Sequence, residues 1–447
     1  MSMFIQEYIP YYKRNLKVAV PVMLSQAGQV LVQQIDNMMV GAVGTNELAA
    51  ASFANAIFFL GMVIGMGISM GLTPLVGHAF AANKKDETSS LLLNSSATNF
   101  LTTILLFTAM YSISFLMKYM GQSEEVLNLA IPYYRISVFS IIPFMLFFTM
   151  KQFAEGIGNT INAMIITLIA NVVNFVANYI LIFGKLGAPA LGLTGAGIGT
   201  LIARSVMALL FLYMFFNGKT FVHYTKAAIK QTIRKEQIIK LFNVGFPISI
   251  QIVLEVAAFA LGAIMIGWLG AVPLAAHQIA IGLASVTFMI VTGIGSGTTI
   301  RVSHQYSVKA YDEMKKAANA SIHLVLGFMT ITSILFIALR NYLPFLYTTD
   351  PEVIALASQL LIMAAAFQIF DGLQVVMLGA LRGLADVRYA MWIAFISYII
   401  ISLPLSYLVG FIFKWGAMGV WTGLVVSLGI ASLLFVRRFN TLYIRLK

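Results

Sequence analysis

Three carboxylates stand in stretches that are otherwise apolar: Asp36 in "QQIDNMMVG", Glu255 in "QIVLEVAAFALG" and Asp371 in "FQIFDGLQVV". The chain holds 16 Asp and Glu, and all but these three fall in expected loops or at the ends of apolar runs. A charge in hydrocarbon costs about 3 kcal/mol or more, so an acid kept there faces a cavity and serves transport unless an ion pair neutralises it. Arg204 is the only basic residue well inside an apolar run, and it lies in the other half of the chain from Glu255 and Asp371. That placement argues against an ion pair for these two. Two carboxylates at similar depth in a low dielectric cannot both stay charged unaided; either a proton neutralises one or a cation such as sodium binds between them. Phe259, one helical turn from Glu255, could offer its ring face to such a cation.

The first half has its own polar cluster. Gln26, Gln29, Gln33, Gln34, Asp36 and Asn37 share one run, and Asn171, Asn174 and Asn178 recur at helical spacing on another. These side chains either bond helices together or line a site around Asp36, with Asn174 and Asn178 as its hydrogen-bond partners. Protonating Asp36 would then turn an acceptor into a donor and repack the two helices. With 24 Met and 33 Phe, a cavity holding one or two carboxylates would suit bulky lipophilic cations. Cysteine is absent, and the five histidines, at 78, 223, 277, 304 and 323, show no metal-ligand spacing. Neither an enzyme nor a bound cofactor is expected; sodium or protons would pass through as coupling ions.

The elements that must position these residues are membrane helices. Of 447 residues 60% are hydrophobic and 10% charged, with a mean hydropathy of +0.89, and apolar runs near the 20 or so residues of a spanning helix recur throughout. Twelve spans are predicted, at roughly 15–41, 53–77, 92–118, 130–150, 161–183, 191–214, 242–268, 275–300, 318–340, 354–378, 389–412 and 416–436. Basic residues concentrate on the side that holds Lys13, Arg14, Lys17, Lys84, Lys85, the 218–240 linker, Lys315, Lys316 and the tail "VRRFNTLYIRLK", which predicts cytoplasmic termini. The net charge of +12 follows from that topology and from anionic lipid, so no nucleic-acid partner is expected.

The polar linker 218–240 divides the chain into an N-lobe, 1–217, and a C-lobe, 241–447, of six spans each. Shifted by 226 positions, the segment from Val20 falls on that from Phe246 without a gap: Pro21 meets Pro247, Gly41 meets Gly267, and Leu48 to Ala50 meet Leu274 to Ala276. Further on, "EGIGNTINAM" at 155–164 faces "RGLADVRYAM" at 382–391, and "GLTGAGIG" faces "GAMGVWTG". Parallel repeats of even span number are a transporter design, with a site at their interface and access that alternates between the two sides. Under the 226 shift Glu255 answers to Gln29, and under the later shift of 227 Asp371 answers to Phe144. The halves share a scaffold but not their acids. Glycine-rich stretches such as "GMVIGMGISMG" read as close helix packing rather than nucleotide loops.

The Pro21 and Asp36 helix, "VGAVGTNELAAAS", "EVAAFALGAIMIGWLG", "LAAHQIA" and Asp371 with "LRGLAD" together resemble the multidrug and toxic compound extrusion (MATE) transporters, in their NorM-like branch. The resemblance implies twelve helices in two six-helix lobes around a central cavity. It also implies export of organic cations and other drugs, driven by inward sodium or protons, by a monomer in the inner membrane. Residue by residue, it places a cation site at Glu255 and Asp371, drug contact at Gln278 and Gln34, and an N-lobe site at Asp36, Asn174 and Asn178. Phe288 and Phe367 depart from it, standing where tyrosines are expected beside the C-lobe cation; a phenyl ring keeps the π face and loses a hydroxyl ligand. The alternative is a lipid-linked saccharide flippase of the same fold, which would want basic residues in its cavity for pyrophosphate.

Overall fold

The computed structural model describes residues 2–447, with side chains from Gln6 onward. Among the described residues twelve helices are long and apolar enough to cross a membrane: Gln6–Gly41, Thr45–Ala81, Lys85–Tyr119, Glu124–Gly156, Ile161–Phe183, Gly192–Asn217, Lys235–Gly267, Ala271–Ser307, Tyr311–Leu339, Pro351–Gly383, Val387–Ile412 and Gly416–Leu446, spans 1 to 12. All twelve predicted spans are present, in order. Several run a further two turns at one end, because a helix whose apolar middle is fixed continues through its polar flanks until a left-handed or capping residue stops it. Gly184 at φ 66° ends span 5 in this way, and Lys309 at φ 57° and Ala385 at φ 59° follow spans 8 and 10. A short helix, Val222–Ile229, lies within the linker.

The chain forms two compact units: Leu24–Ser249, and Ile250–Lys447 together with Met1–Met23. Spans 1 and 7 therefore each begin in one unit and end in the other. The contacts that fix this exchange repeat with the 226 shift. In the first unit a Cβ at Gly67 would overlap the backbone of Ser249, and one at Gly71 would come within 2.6 Å of Gly245 N. In the second, a Cβ at Gly293 would overlap Met23, and one at Gly297 would lie 3.1 Å from Ala19 Cβ. Each glycine lets a neighbouring helix approach to backbone distance. Hydrogen bonds add to the hold, from Ser249 Oγ to Ile64 O at 2.7 Å and from Asn15 Nδ2 to Ala317 O at 2.8 Å.

Symmetry fails at spans 5 and 11. Span 5 is a regular α-helix, whereas span 11 winds more widely over Phe395–Ser402 and Leu408–Ile412, on either side of Pro404. Proline has no N–H to give and its ring crowds the preceding turn, so the helix accommodates it by widening.

Candidate ion and substrate sites

In the unit Leu24–Ser249, span 5 presents its asparagines to span 1. Asn178 Nδ2 donates to Asp36 Oδ1 at 2.6 Å. The amide orientation of Asn174 that satisfies both groups points its nitrogen at the same carboxylate, 2.9 Å from Oδ1 and 3.2 Å from Oδ2. Asn174 and Asn178 are buried and Asp36 is half-buried. Asn178 fits only because span 6 carries glycine opposite it: a Cβ at Gly199 would overlap Asn178 Oδ1. Asn171 packs one turn away, its Nδ2 2.8 Å from where a Cβ at Gly28 would stand. Gln34 is exposed, and two residues on a helix put it on nearly the opposite face from Asp36.

Arg204, on span 6, completes this group. Its NH1 donates to Ser140 Oγ at 2.7 Å, and the guanidinium lies 5.0 Å from the ring centres of both Phe58 and Phe144, within electrostatic reach of Asp36. The two aromatic faces and the acid all favour the positive charge of the guanidinium.

In the unit that contains Ile250–Lys447, Asp371 on span 10 and Glu255 on span 7 lie close enough for their charges to interact. Asp371 is 3% exposed and Glu255 half-buried. Beside them the Phe259 and Phe367 rings meet edge to face at 5.9 Å, and Phe367 meets Trp421 at 5.6 Å. Trp421 Nε1 in turn donates to His277 Nδ1 at 3.1 Å, so His277 is a packed core residue. Phe288 is half-buried on span 8 and makes no ring contact with this group among the described residues. Gln278 is exposed on the same span.

The chain carries more basic residues inside its helices than the sequence reading allowed. Arg382, beyond the predicted span 354–378, lies in the last turn of span 10, and its NH2 donates to Gln251 Oε1 at 2.5 Å. Gln251 Nε2 donates to Glu255 Oε2 at 2.9 Å, so a guanidinium reaches the acid through one amide. Arg204 is still the basic residue placed well inside a run, but a second guanidinium, at the end of span 10, reaches Glu255 from its own half. A helix that runs five residues past its predicted end, at 378, is the reason. Lys151 and Glu155, likewise taken as span-end residues, are buried within span 4 and pair at 3.5 Å. Their spacing of four was the available signal, since i and i+4 share a helix face.

The family model MatE matches this chain twice, over residues 21–180 and 247–408. The chain belongs to the MATE family. Its two matched stretches begin 226 residues apart, at the shift that superposes the halves, and between them they contain Asp36, Asn174, Asn178, Glu255 and Asp371. This MATE protein is 32% identical to the multidrug resistance protein NorM of Vibrio vulnificus (strain CMCP6), over 96% of its own length and 95% of the relative's. It is 30% identical to the multidrug resistance protein MdtK of Pectobacterium atrosepticum, over 98% and 97%. Among solved structures, a MATE protein in the bent conformation superposes with a TM-score of 0.90 over 98% of this chain and 96% of that one, at 18% identity. A eukaryotic MATE transporter, AtDTX14, gives 0.85 over 98% and 100%, also at 18% identity. Both likenesses establish the fold of this MATE chain.

Proposed function

We propose that the protein exports lipophilic organic cations and other drugs across the inner membrane, as a monomer with both termini cytoplasmic, in exchange for inward sodium. The observation that carries this reading is the pair Glu255 and Asp371, set in an apolar unit beside the edge-to-face rings of Phe259 and Phe367. Carboxylate charge attracts any cation; the flat apolar surround favours a large delocalised one, and the oxygens favour a small hard one. Competition between the two for the same negative charge is what couples their movements by alternating access. The NorM and MdtK relatives are named multidrug resistance proteins, which supports drugs as the transported class.

Protons are the second reading of the coupling ion. Phenylalanine at 288 and 367 offers no hydroxyl to a sodium ion, and Phe367 is buried between Phe259 and Trp421. Proteoliposomes separate the two: an imposed sodium gradient at equal pH is expected to drive movement of a cationic dye. Movement under a pH gradient alone would make Glu255 a proton carrier instead.

A further inference from the structure

Glu255 and Asp371 are not equivalent. Asp371 accepts no hydrogen bond among the described residues, whereas Glu255 is held by Gln251, one turn earlier on the same helix, and Gln251 by Arg382. Gln251, the middle of this relay, is 1% exposed, and Glu255 and Arg382 at its ends are half-buried. Among the described residues Arg382 has no acid of its own at ion-pair distance. The nearest along the chain, Asp386, is taken by Arg438 through two hydrogen bonds, at 2.7 and 3.2 Å. The Nε of Arg382 is buried without a partner. Arg382 and Glu255 interact electrostatically, and no other acid competes for this guanidinium among the described residues. The repeat shows that this arginine is not a demand of the scaffold, because the matching position in the first half is Glu155, of opposite sign and paired with Lys151.

Charge balance in a low dielectric then decides what the site can hold. Two ionised carboxylates alone make a site of two negative charges, which is neutralised by two monovalent cations or one dication. Two carboxylates with a fixed guanidinium leave one negative charge, which a single monovalent cation neutralises. We infer that Arg382, held in place by Gln251, sets this site to one net negative charge, so that it takes one monovalent cation at a time and drug and coupling ion exclude each other. This rests on the export reading above and specifies it: one-for-one exchange, with a preference for singly charged substrates. Arg382 is a positioning residue, since it acts on the transported cation through the charge of Glu255.

Ethidium and propidium carry one and two positive charges on the same ring system, so a change in the ratio of their affinities between variants reports a change in the charge of the site. The test is their binding to the purified full-length protein at about pH 8, followed by fluorescence anisotropy with and without sodium. The wild type is expected to favour ethidium and to release it competitively as sodium rises. Arg382→Gln should shift the affinity ratio about tenfold toward propidium and should keep dye bound at saturating sodium. Arg382→Lys should retain the wild-type ratio. Gln251→Met, which frees Arg382 to turn toward water, should shift the ratio the same way by a smaller factor, and it decides the matter if Arg382→Gln does not fold. An unchanged ratio in the folded variants overturns the inference and leaves the export reading intact. Failure of the wild type to bind either dye overturns both.

Discussion

Asn178, on span 5, and Asp36, on span 1, are joined by a hydrogen bond of 2.6 Å across 142 residues of chain. Replacing Asp36 by Asn removes the charge that both asparagines satisfy, and export is expected to stop or lose its dependence on the ion gradient while the protein stays folded. Gly199→Ala reaches the same bond indirectly, by pushing Asn178 aside. It should reproduce the transport defect at a stability cost of about 1–3 kcal/mol. Dye efflux in cells, with membrane levels checked by immunoblot, measures both; wild-type efflux by Asp36→Asn would remove this acid from the mechanism.

The buried pair of Lys151 and Glu155 gives a stability test that does not involve transport. Lys151→Met strands a carboxylate in the interior and is expected to cost about 3–5 kcal/mol. The double variant Lys151→Met, Glu155→Met should recover most of that loss, because no charge is then left unpaired. Thermal melts in detergent supply the comparison. A double variant no better than the single one would show that the two charges are not coupled.

Gly71 and Gly297 occupy matching positions in the two halves but differ in what lies opposite. A Cβ at Gly71 would meet Gly245 N at 2.6 Å, which is backbone and cannot yield, whereas one at Gly297 would meet the side chain of Ala19 at 3.1 Å. Gly71→Ala should therefore lower the melting temperature more than Gly297→Ala. The opposite order would mean that these contacts do not fix the starts of spans 7 and 1.

Orientation can be read by labelling, since the chain has no cysteine of its own. In intact cells a single cysteine replacing Lys185 is expected to react with an impermeant thiol reagent, and one replacing Lys230 to resist it. Reversal of that pattern would place the termini outside.

Much of this architecture is legible in one dimension because the bilayer leaves the chain few options. Every backbone group in hydrocarbon must be bonded within its own segment, so an apolar run of sufficient length is a helix and the count of twelve follows from composition. The 226-residue shift was equally visible, as were the three acids, since an ionisable group in such a run stands out against its neighbours. The partners of those acids were legible only in part. Asn174 and Asn178 declare themselves by their spacing of four on a helix otherwise apolar around them, which aligns them on one face.

Tertiary packing decided the rest. That Arg382 serves Glu255 depends on a side chain 131 residues from Gln251 in sequence and on a helix end that hydropathy places too early. A positive charge near the end of a run looks the same in a sequence whether it turns to water or inward. The exchange of the first 23 residues and of the segment before Ile250 between the two units is also a matter of packing, set by glycines whose neighbours come from the other repeat. Hydropathy records the solvent each segment needs, and so determines helices and their number. Which helix face meets which depends on close contacts between segments distant in the chain, and those exist only once the helices are side by side.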